Sequence, residues 1–343
     1  MKLTISNYVK IMAEADLWQL YKNMLYSRFF ENAVRDLWEK GKISGEMHLG
    51  TGEEAIIAGV ISQLEEGDAI AVDHRGTPPF IMRGIDPVLI LLELLGHSKG
   101  LCAGKGGHMH LFSKKHLAAS SGIVGSSGPA ATGFALALKY KKQKKISVAF
   151  FGEGAMNQGM MLESMNLASI WNLPVLFICK DNDWAISTVK NNVTAGDLID
   201  RAKGFGIEGY EVDGTDVEAV WKVVNEAISK MRNNEAPQFI HARCVHMEGH
   251  FLGDPLLRYY RDPNMLNEIA DSLKEYSGES LNEVLFLLRK IGGQLKKKFD
   301  PLVVVQKKLK DNPDRLKQIE QEVSKEIEQI VNKALEIGGM KND

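Results

Sequence analysis

The sequence predicts an α/β fold: a mostly parallel sheet flanked by helices, with a helical C-terminal extension. The apolar runs Ile146–Phe151 and Val175–Cys179 are bridged by a helix-length segment, 157–170. Apolar strands joined through one helix indicate a βαβ unit in a parallel sheet, where both faces are covered. The composition suits a packed core, with 44% hydrophobic and 25% charged residues in 343. That excludes wholesale disorder and a fibrous fold. Past about residue 262 the texture turns charged and helical, which divides the chain into 1–262 and 263–343.

Each element follows from local pattern. Residues 8–40 are expected to be helical, because Leu17, Leu20, Tyr21, Met24, Leu25, Phe29, Val34 and Leu37 recur at helical spacing. Residues 53–64 read as a short apolar helix, Ala69–Val72 as a buried strand, and Asp73–Pro79 as a loop. Residues 87–96 are again helical, and Gly100–Gly107 is too glycine-dense for a regular element. The strand at 146–151 is cut by Gly152-Glu153-Gly154, and the strand after Pro174 ends in the polar run Lys180–Asp183. Thr215 and Glu218 form a capping-box pattern before a helix carrying Val217, Val220, Trp221, Val224, Ile228 and Met231. Gln238–Val245 is a further strand. Near the end, Asn312-Pro313 supplies an N-cap and a first-turn proline. Leu316, Ile319, Val323, Ile327, Ile330 and Ala334 then make one apolar stripe, which Gly338 ends. Such a helix packs on its own domain or on a subunit.

Several function classes are excluded or disfavoured. A net charge of −2 and a pI near 6.5 give no electrostatic footprint for nucleic acid. The longest apolar runs, such as Val88–Leu95 with Glu93 inside, are too short to cross a bilayer. Residues 1–7 show no apolar signal core, and Cys102, Cys179 and Cys244 are widely spaced. Together these point to reduced thiols and a cytoplasmic setting.

Gly204-Phe205-Gly206-Ile207-Glu208-Gly209 fits a dinucleotide fingerprint in letters, but a helix precedes it and a strand follows. A dinucleotide loop needs the opposite order. His108/His110 and His246/His250 have metal-compatible spacing, but neither pair is expected to have a nearby set of carboxylates or cysteines to complete a site. Gly152-Glu153-Gly154 stands at the carboxyl end of a buried strand, where α/β folds bind ligands. Its glycines let the backbone approach a phosphate, and Glu153 sets a hard oxygen beside it. One helix later Asn182 offers an amide oxygen. A carboxylate, an amide oxygen, a main-chain carbonyl and phosphate oxygens suit octahedral Mg²⁺. On spacing alone, a plain polar turn at Asp181–Asp183 accounts for the second half of the pattern equally well.

Gly152-Glu153-Gly154-Ala155-Met156-Asn157-Gln158-Gly159, followed by Lys180-Asp181-Asn182-Asp183-Trp184-Ala185-Ile186-Ser187-Thr188, resembles a thiamine-diphosphate motif. More specifically it is similar to the alpha subunit of the first component of 2-oxoacid and acetoin dehydrogenase complexes. Gly45–Leu49, Gly52–Ala55, His74-Arg75-Gly76, Gly104–His110, Gly122–Gly125, Gly249-His250 and Gly253-Asp254-Pro255 follow in that family's order. The resemblance covers about residues 15–262 and the last helix.

It implies a thiamine-diphosphate-binding fold in which Glu153, Asn182 and the Trp184 carbonyl hold Mg²⁺. By the same resemblance, Gly152, Gly154 and Ala155 belong to the diphosphate-binding turn, and His74 and Arg75 meet the diphosphate. His250 lies near it on a loop, the backbones of Gly122 and Val124 touch the aminopyrimidine, and His48 lies in the active-site channel. A carboxylate that activates the pyrimidine comes from a beta subunit in this family. An α₂β₂ heterotetramer is therefore implied, serving a lipoyl-bearing acyltransferase. Glu at 153 replaces the commoner Asp and is shared with branched-chain members, whereas Asn157-Gln158-Gly159 looks like the pyruvate and acetoin types. Pyruvate is the favoured substrate, with acetoin or a branched 2-oxoacid as alternatives. Asp181 and Trp184 stand where Asn and Tyr are usual. Phe251 stands where animal enzymes carry a phosphorylatable Ser, so no kinase switch is expected there. The N-terminal half of a split transketolase, or a non-catalytic subunit of the same fold, are the rival readings.

Overall fold

The computed structural model describes residues 15–186, 188–234, 236–253 and 299–340. Ser187, Asp254, Pro255, the 262/263 boundary and, of the predicted extension, residues 263–298 and 341–343 therefore lie outside the described residues.

The chain opens with α1 (Leu17–Glu39), whose N-cap Asp16 accepts from the backbone N–H groups of Trp18 and Gln19. That carboxylate fixes the start at Leu17, and the expected residues 8–14 are not described. Then follow α2 (Glu54–Ile61), β1 (Ala69–Val72), α3 (Thr77–Met82) and α4 (Pro87–Leu94). The loop expected over Asp73–Pro79 is found over Asp73–Gly76, and helix α3 corrects its last three residues. Pro78 and Pro79 sit in its first turn, where a missing N–H costs nothing and the fixed φ suits a helix.

Next come β2 (Phe112–Ser113), β3 (Ala118–Ser120) and α5 (Ser127–Tyr140). None of these was expected: β3 is short and alanine-rich, and α5 is built from small residues without a clear apolar period. Strand β4 (Ser147–Gly152) leads through a 3₁₀ turn, Glu153–Asn157, into α6 (Gly159–Ile170), and β5 (Val175–Asp181) completes the βαβ unit. Strand β5 runs two residues past the expected Cys179. Lys180 and Asp181 pair in register with Ala242 and Arg243, so polar residues stay in the ladder. A small hairpin of β6 (Trp184–Ala185) and β7 (Thr188–Val189) precedes α7 (Lys190–Val193) and α8 (Leu198–Gly204).

Strand β8 (Glu208–Asp213), α9 (Val217–Asn234) and β9 (Gln238–Arg243) follow. The glycine sequence 204–209 thus joins a helix end to a strand, as expected, and cannot serve a dinucleotide. The cap of α9 is Asp216, which accepts from the N–H groups of Glu218 and Ala219; the Thr215 hydroxyl is spent on Asp213. The expected Thr215 capping box gives way because a carboxylate is the stronger acceptor. Finally α10 (Pro301–Lys308) and α11 (Pro313–Ile337) pack on α1, α2 and α4. Asn312 caps α11 by accepting from the Arg315 N–H, and its stripe from Ile319 to Ala334 is buried in the same apolar cluster as α1.

The sheet order is β2-β3-β1-β4-β5-β9-β8, parallel throughout except for β2 against β3. Side-chain alternation splits the core between the two faces. Val148, Phe150, Leu176 and Ile178 face the layer of α1, α2, α4, α9, α10 and α11. Ala149, Phe151, Phe177 and Cys179 face α5, α6 and α8. Each of the buried Val, Leu, Ile and Phe side chains among these contributes about 1.5–3 kcal/mol. From β1 the chain moves to β3 on one side and returns to β4 on the other, so a topological switch point lies between β1 and β4. Ligands of open α/β sheets bind outside the carboxyl ends of the strands at such a point. No helix among the described residues is long and apolar enough to cross a membrane.

Candidate functional site

A cleft of about 320 Å³ opens at that switch point. The turn after β1 gives Asp73, His74 and Arg75; the turn after β3 gives Ser121 to Gly125. The end of β4 gives Gly152 to Ala155, and the end of β5 gives Lys180, Asn182 and Trp184. His48 and Glu53 come from the segment before α2, and His246 and His250 from the loop after β9. Every site residue singled out from the sequence lines this one cleft: His48, His74, Arg75, Gly122, Val124, Gly152, Glu153, Gly154, Ala155, Asn182, Trp184 and His250.

Glu153 is 2% exposed, and its Oε1 has no hydrogen-bond partner among the described residues. Its Oε2 accepts a long bond, 3.4 Å, from the Asn182 N–H. Burial, and then the nearby Asp181 carboxylate, push its pKa up to about 8. A buried acceptor without a donor is costly unless a proton or cation completes it. A Cβ on Gly152 would approach only the Lys180 carbonyl, at 3.9 Å, so the turn beside Glu153 is open on the cleft side. An acidic oxygen, an amide and main-chain groups around open space form a set that could hold a divalent metal and a phosphate.

Asp181 replaces an expected amide, and its charge is matched locally. It accepts from His241 Nε2 at 2.7 Å and from Lys190 Nζ, against a burial cost, which holds its carboxyl low.

Among the wall residues that were not singled out, Lys180, Glu53, Asp73 and His246 form a charged network. Lys180 Nζ lies 2.6 Å from Glu53 and 3.0 Å from Asp73, with all but 1% of its side chain buried. Burial opposes the Lys180 charge, but the two carboxylates keep its pKa raised. Glu53 also meets His246 Nε2 at 2.8 Å, and His246 Nδ1 lies 3.0 Å from the Asn182 amide nitrogen. The sequence signal for Glu53 and Lys180 was their place inside quoted motifs; nothing local pairs them across 127 positions. His246 and His250 separate into different groups. His246 sits with Glu53 and Cys244, and His250 with His48 and His74. The expectation that no carboxylate or cysteine set lies near His246 is thus corrected: the fold brings Glu53 from a distant segment, and Cys244 stands two residues before His246. His108 is buried while His110 is exposed, so this pair does not converge.

Arg75 is 1% exposed and donates to the carbonyls of Leu49 and, at 2.8 Å, His250. It braces both segments that carry the histidines. The rings of His48, His74 and His250 stand 4.7–5.4 Å apart. Burial, and then Arg75, lower His48 to about 4 and His250 to about 3, so both are neutral at pH 7. His48 Nδ1 and His74 Nε2 are buried without partners among the described residues. Ile123, Val124 and Ile186 leave an exposed apolar rim beside the cleft, 55–61% accessible.

A family model described as dehydrogenase E1 component matches residues 21–278. Among similar proteins, the alpha subunit of acetoin:2,6-dichlorophenolindophenol oxidoreductase from Cupriavidus necator is 41% identical over 74% of this chain and 76% of its own. The protein of that name from Bacillus subtilis is 38% identical over 82% and 86%. The pyruvate dehydrogenase E1 component subunit alpha of Rhizobium meliloti is 38% identical over 74% and 72%. The buried glutamate at the switch point, the converging histidines and these matches lead to one assignment: the chain belongs to the dehydrogenase E1 component family and is a thiamine-diphosphate-dependent oxidoreductase.

Proposed function

We propose that this chain is the alpha subunit of a cytoplasmic 2-oxoacid dehydrogenase first component, with pyruvate as substrate, working with a beta subunit in an α₂β₂ assembly. The acyl product passes to a lipoyl-bearing acyltransferase. The observation that carries the reading is Glu153, a buried carboxyl group with an unpartnered oxygen, set at the carboxyl end of β4 beside an open glycine turn.

In this reading Glu153, Asn182 and the Trp184 carbonyl hold Mg²⁺, and Gly152, Gly154 and Ala155 line the diphosphate. His74 and Arg75 face the same end. Bound thiamine diphosphate supplies an electron sink for cleaving a carbon–carbon bond beside a carbonyl. The backbones of Gly122 and Val124 meet the aminopyrimidine. His48 and His250, neutral when the cleft is empty, gain affinity for protons as anions enter, so they hold a substrate carboxylate or carbonyl by hydrogen bonds. The apolar rim at Ile123, Val124 and Ile186 supports a partner subunit covering the cleft. The division into a cofactor-binding part, 1–262, and a C-terminal part, 263–343, belongs to the same proposal.

Acetoin is a second reading, favoured by the names of the Cupriavidus and Bacillus relatives. Among 2-oxoacids of different chain length one methylene in an apolar pocket is worth only about 1–3 kcal/mol, and acetoin differs from pyruvate in carrying no carboxylate, so turnover has to decide. The test is cofactor-dependent dye reduction by the purified alpha–beta complex with pyruvate, acetoin and branched 2-oxoacids side by side. Fastest turnover of pyruvate is expected. Acetoin alone as substrate would move the assignment to the second reading, and inactivity on all three with cofactor bound would overturn both.

A further inference from the structure

The segment Gly100–Gly107 has the density of glycine that proteins use to cradle phosphates, yet it is already filled. Glu93 rises from α4 into its centre, with its side chain 1% exposed. Oε2 accepts from the N–H groups of Cys102 at 2.7 Å and Gly104 at 2.8 Å. Oε1 accepts from Gly106 at 2.7 Å and Gly107 at 3.1 Å. Successive backbone N–H groups turned inward make an anion nest, and here the anion is the chain's own carboxylate. The glycines are what that wrapping demands. A Cβ on Gly100 would lie 2.6 Å from Glu93 itself, and one on Gly106 would lie 2.3 Å from the His110 carbonyl. Gly104 and Gly107 have φ of +72° and +57°.

The loop delivers two residues to the cleft. His108 Nε2 accepts the His48 backbone N–H at 2.7 Å, and the two rings stack 5.5 Å apart and nearly parallel. Met109 lines the cleft, its carbonyl accepts from the Ser120 hydroxyl at 3.0 Å, and its sulfur lies 3.0 Å from where a Cβ on Gly122 would stand. We propose that Glu93 is a positioning residue for this site. It fixes the glycine loop so that His108 sets the backbone at His48 and Met109 backs Gly122. The roles of His48 and Gly122 rest on the function proposed above, but the mechanical link does not.

Amide hydrogen exchange on the full chain tests that link without cofactor or activity. Glu93→Gln keeps the size but offers one acceptor oxygen, and it turns an amide donor toward N–H groups. Exchange at Cys102, Gly104, Gly106, Gly107 and also His48 is expected to quicken about tenfold or more, with β4 and β5 unchanged. His108→Leu should quicken His48 while leaving the loop protected, and His108→Gln should restore part of the protection through its amide oxygen. A freed loop with an unchanged His48 amide would overturn the proposal, as would His108→Leu without effect at His48. If Glu93→Gln loses protection in β4 and β5, the two His108 variants and Gly106→Ala decide instead. Gly106→Ala must then quicken both the loop and His48, and protection retained at His48 overturns the link. In the alpha–beta complex, Glu93→Gln should lower kcat about tenfold with substrate KM within about twofold. Slow exchange at His48 with normal kcat refutes the proposal, whereas inactivity of the wild-type complex refutes only the assigned function.

Discussion

The two glycine-rich turns of this chain each bury a glutamate, and they treat it in opposite ways. Around Glu93 the backbone closes, and four N–H groups satisfy both oxygens. Beside Glu153 the turn stays open, one oxygen is left without a partner among the described residues, and burial pushes the carboxyl up to about 8. The same composition thus closes around a carboxylate in one place and, in the proposed function, leaves a binding carboxylate open in the other. A satisfied buried carboxyl group belongs to the fold, whereas an unsatisfied one is a candidate for receiving something from outside.

That contrast predicts how substitutions divide between stability and function. The largest loss of stability is expected at Lys180, which sits between Glu53 and Asp73. Lys180→Ala takes the shared cation from Glu53 and Asp73, leaving the buried Glu53 to His246 and a longer contact with Arg75, and should cost about 3–5 kcal/mol in urea denaturation. A loss under about 1 kcal/mol would mean that water reaches the pair. Next comes the apolar contact of α11 with the core. Ile327 is 5% exposed, and Ile327→Ala should cost about 2–5 kcal/mol while cofactor affinity is retained. Lost affinity with an unchanged melting temperature would show that α11 serves the site instead.

A smaller, pH-dependent effect is expected at Glu31. It is buried in α1 and accepts from Gly50 N–H at 2.9 Å. Burial, and then the neighbouring Glu54 and Glu53, raise its pKa from 4.5 to about 8, although the Gly50 bond opposes them. Because the folded value is raised, its stabilising contribution is complete below pH 4.5 and is lost as pH rises through 8. Glu31→Gln should flatten the fall in melting temperature between those limits, and an unchanged slope would place the titration elsewhere. The smallest change in stability belongs to Glu153→Gln, within about 1 kcal/mol at neutral pH, since an amide replaces a carboxyl group that is already protonated. A large loss there would make Glu153 a structural group like Glu93.

The sequence carried the strands well, because Ile146–Phe151 and Val175–Cys179 are buried on both faces and read as continuous apolar runs. The candidate site residues came from motif resemblance, and folding brings them to line one cleft. Strand β3 and helix α5 were not legible, since runs of Ala, Ser and Gly carry little period and are placed by packing. Helix α3 was hidden by Pro78 and Pro79, which suit a loop and a first helical turn equally. The pairing of Lys180 with Glu53 was invisible because long-range charge partners leave no local trace. For the same reason the glycines at 100–107 announced an irregular loop but not the glutamate they enclose.

The central claim is that Glu153 receives a metal-bound diphosphate. It is tested most directly by titrating thiamine diphosphate into the alpha–beta complex, with Mg²⁺ or with chelator, for wild type and Glu153→Gln. The account predicts tight binding only for wild type with Mg²⁺, and an affinity about 100-fold weaker or worse for the variant. Equal, Mg²⁺-dependent affinity in both proteins would contradict it, and would show that the open turn beside β4 is not where the metal is held.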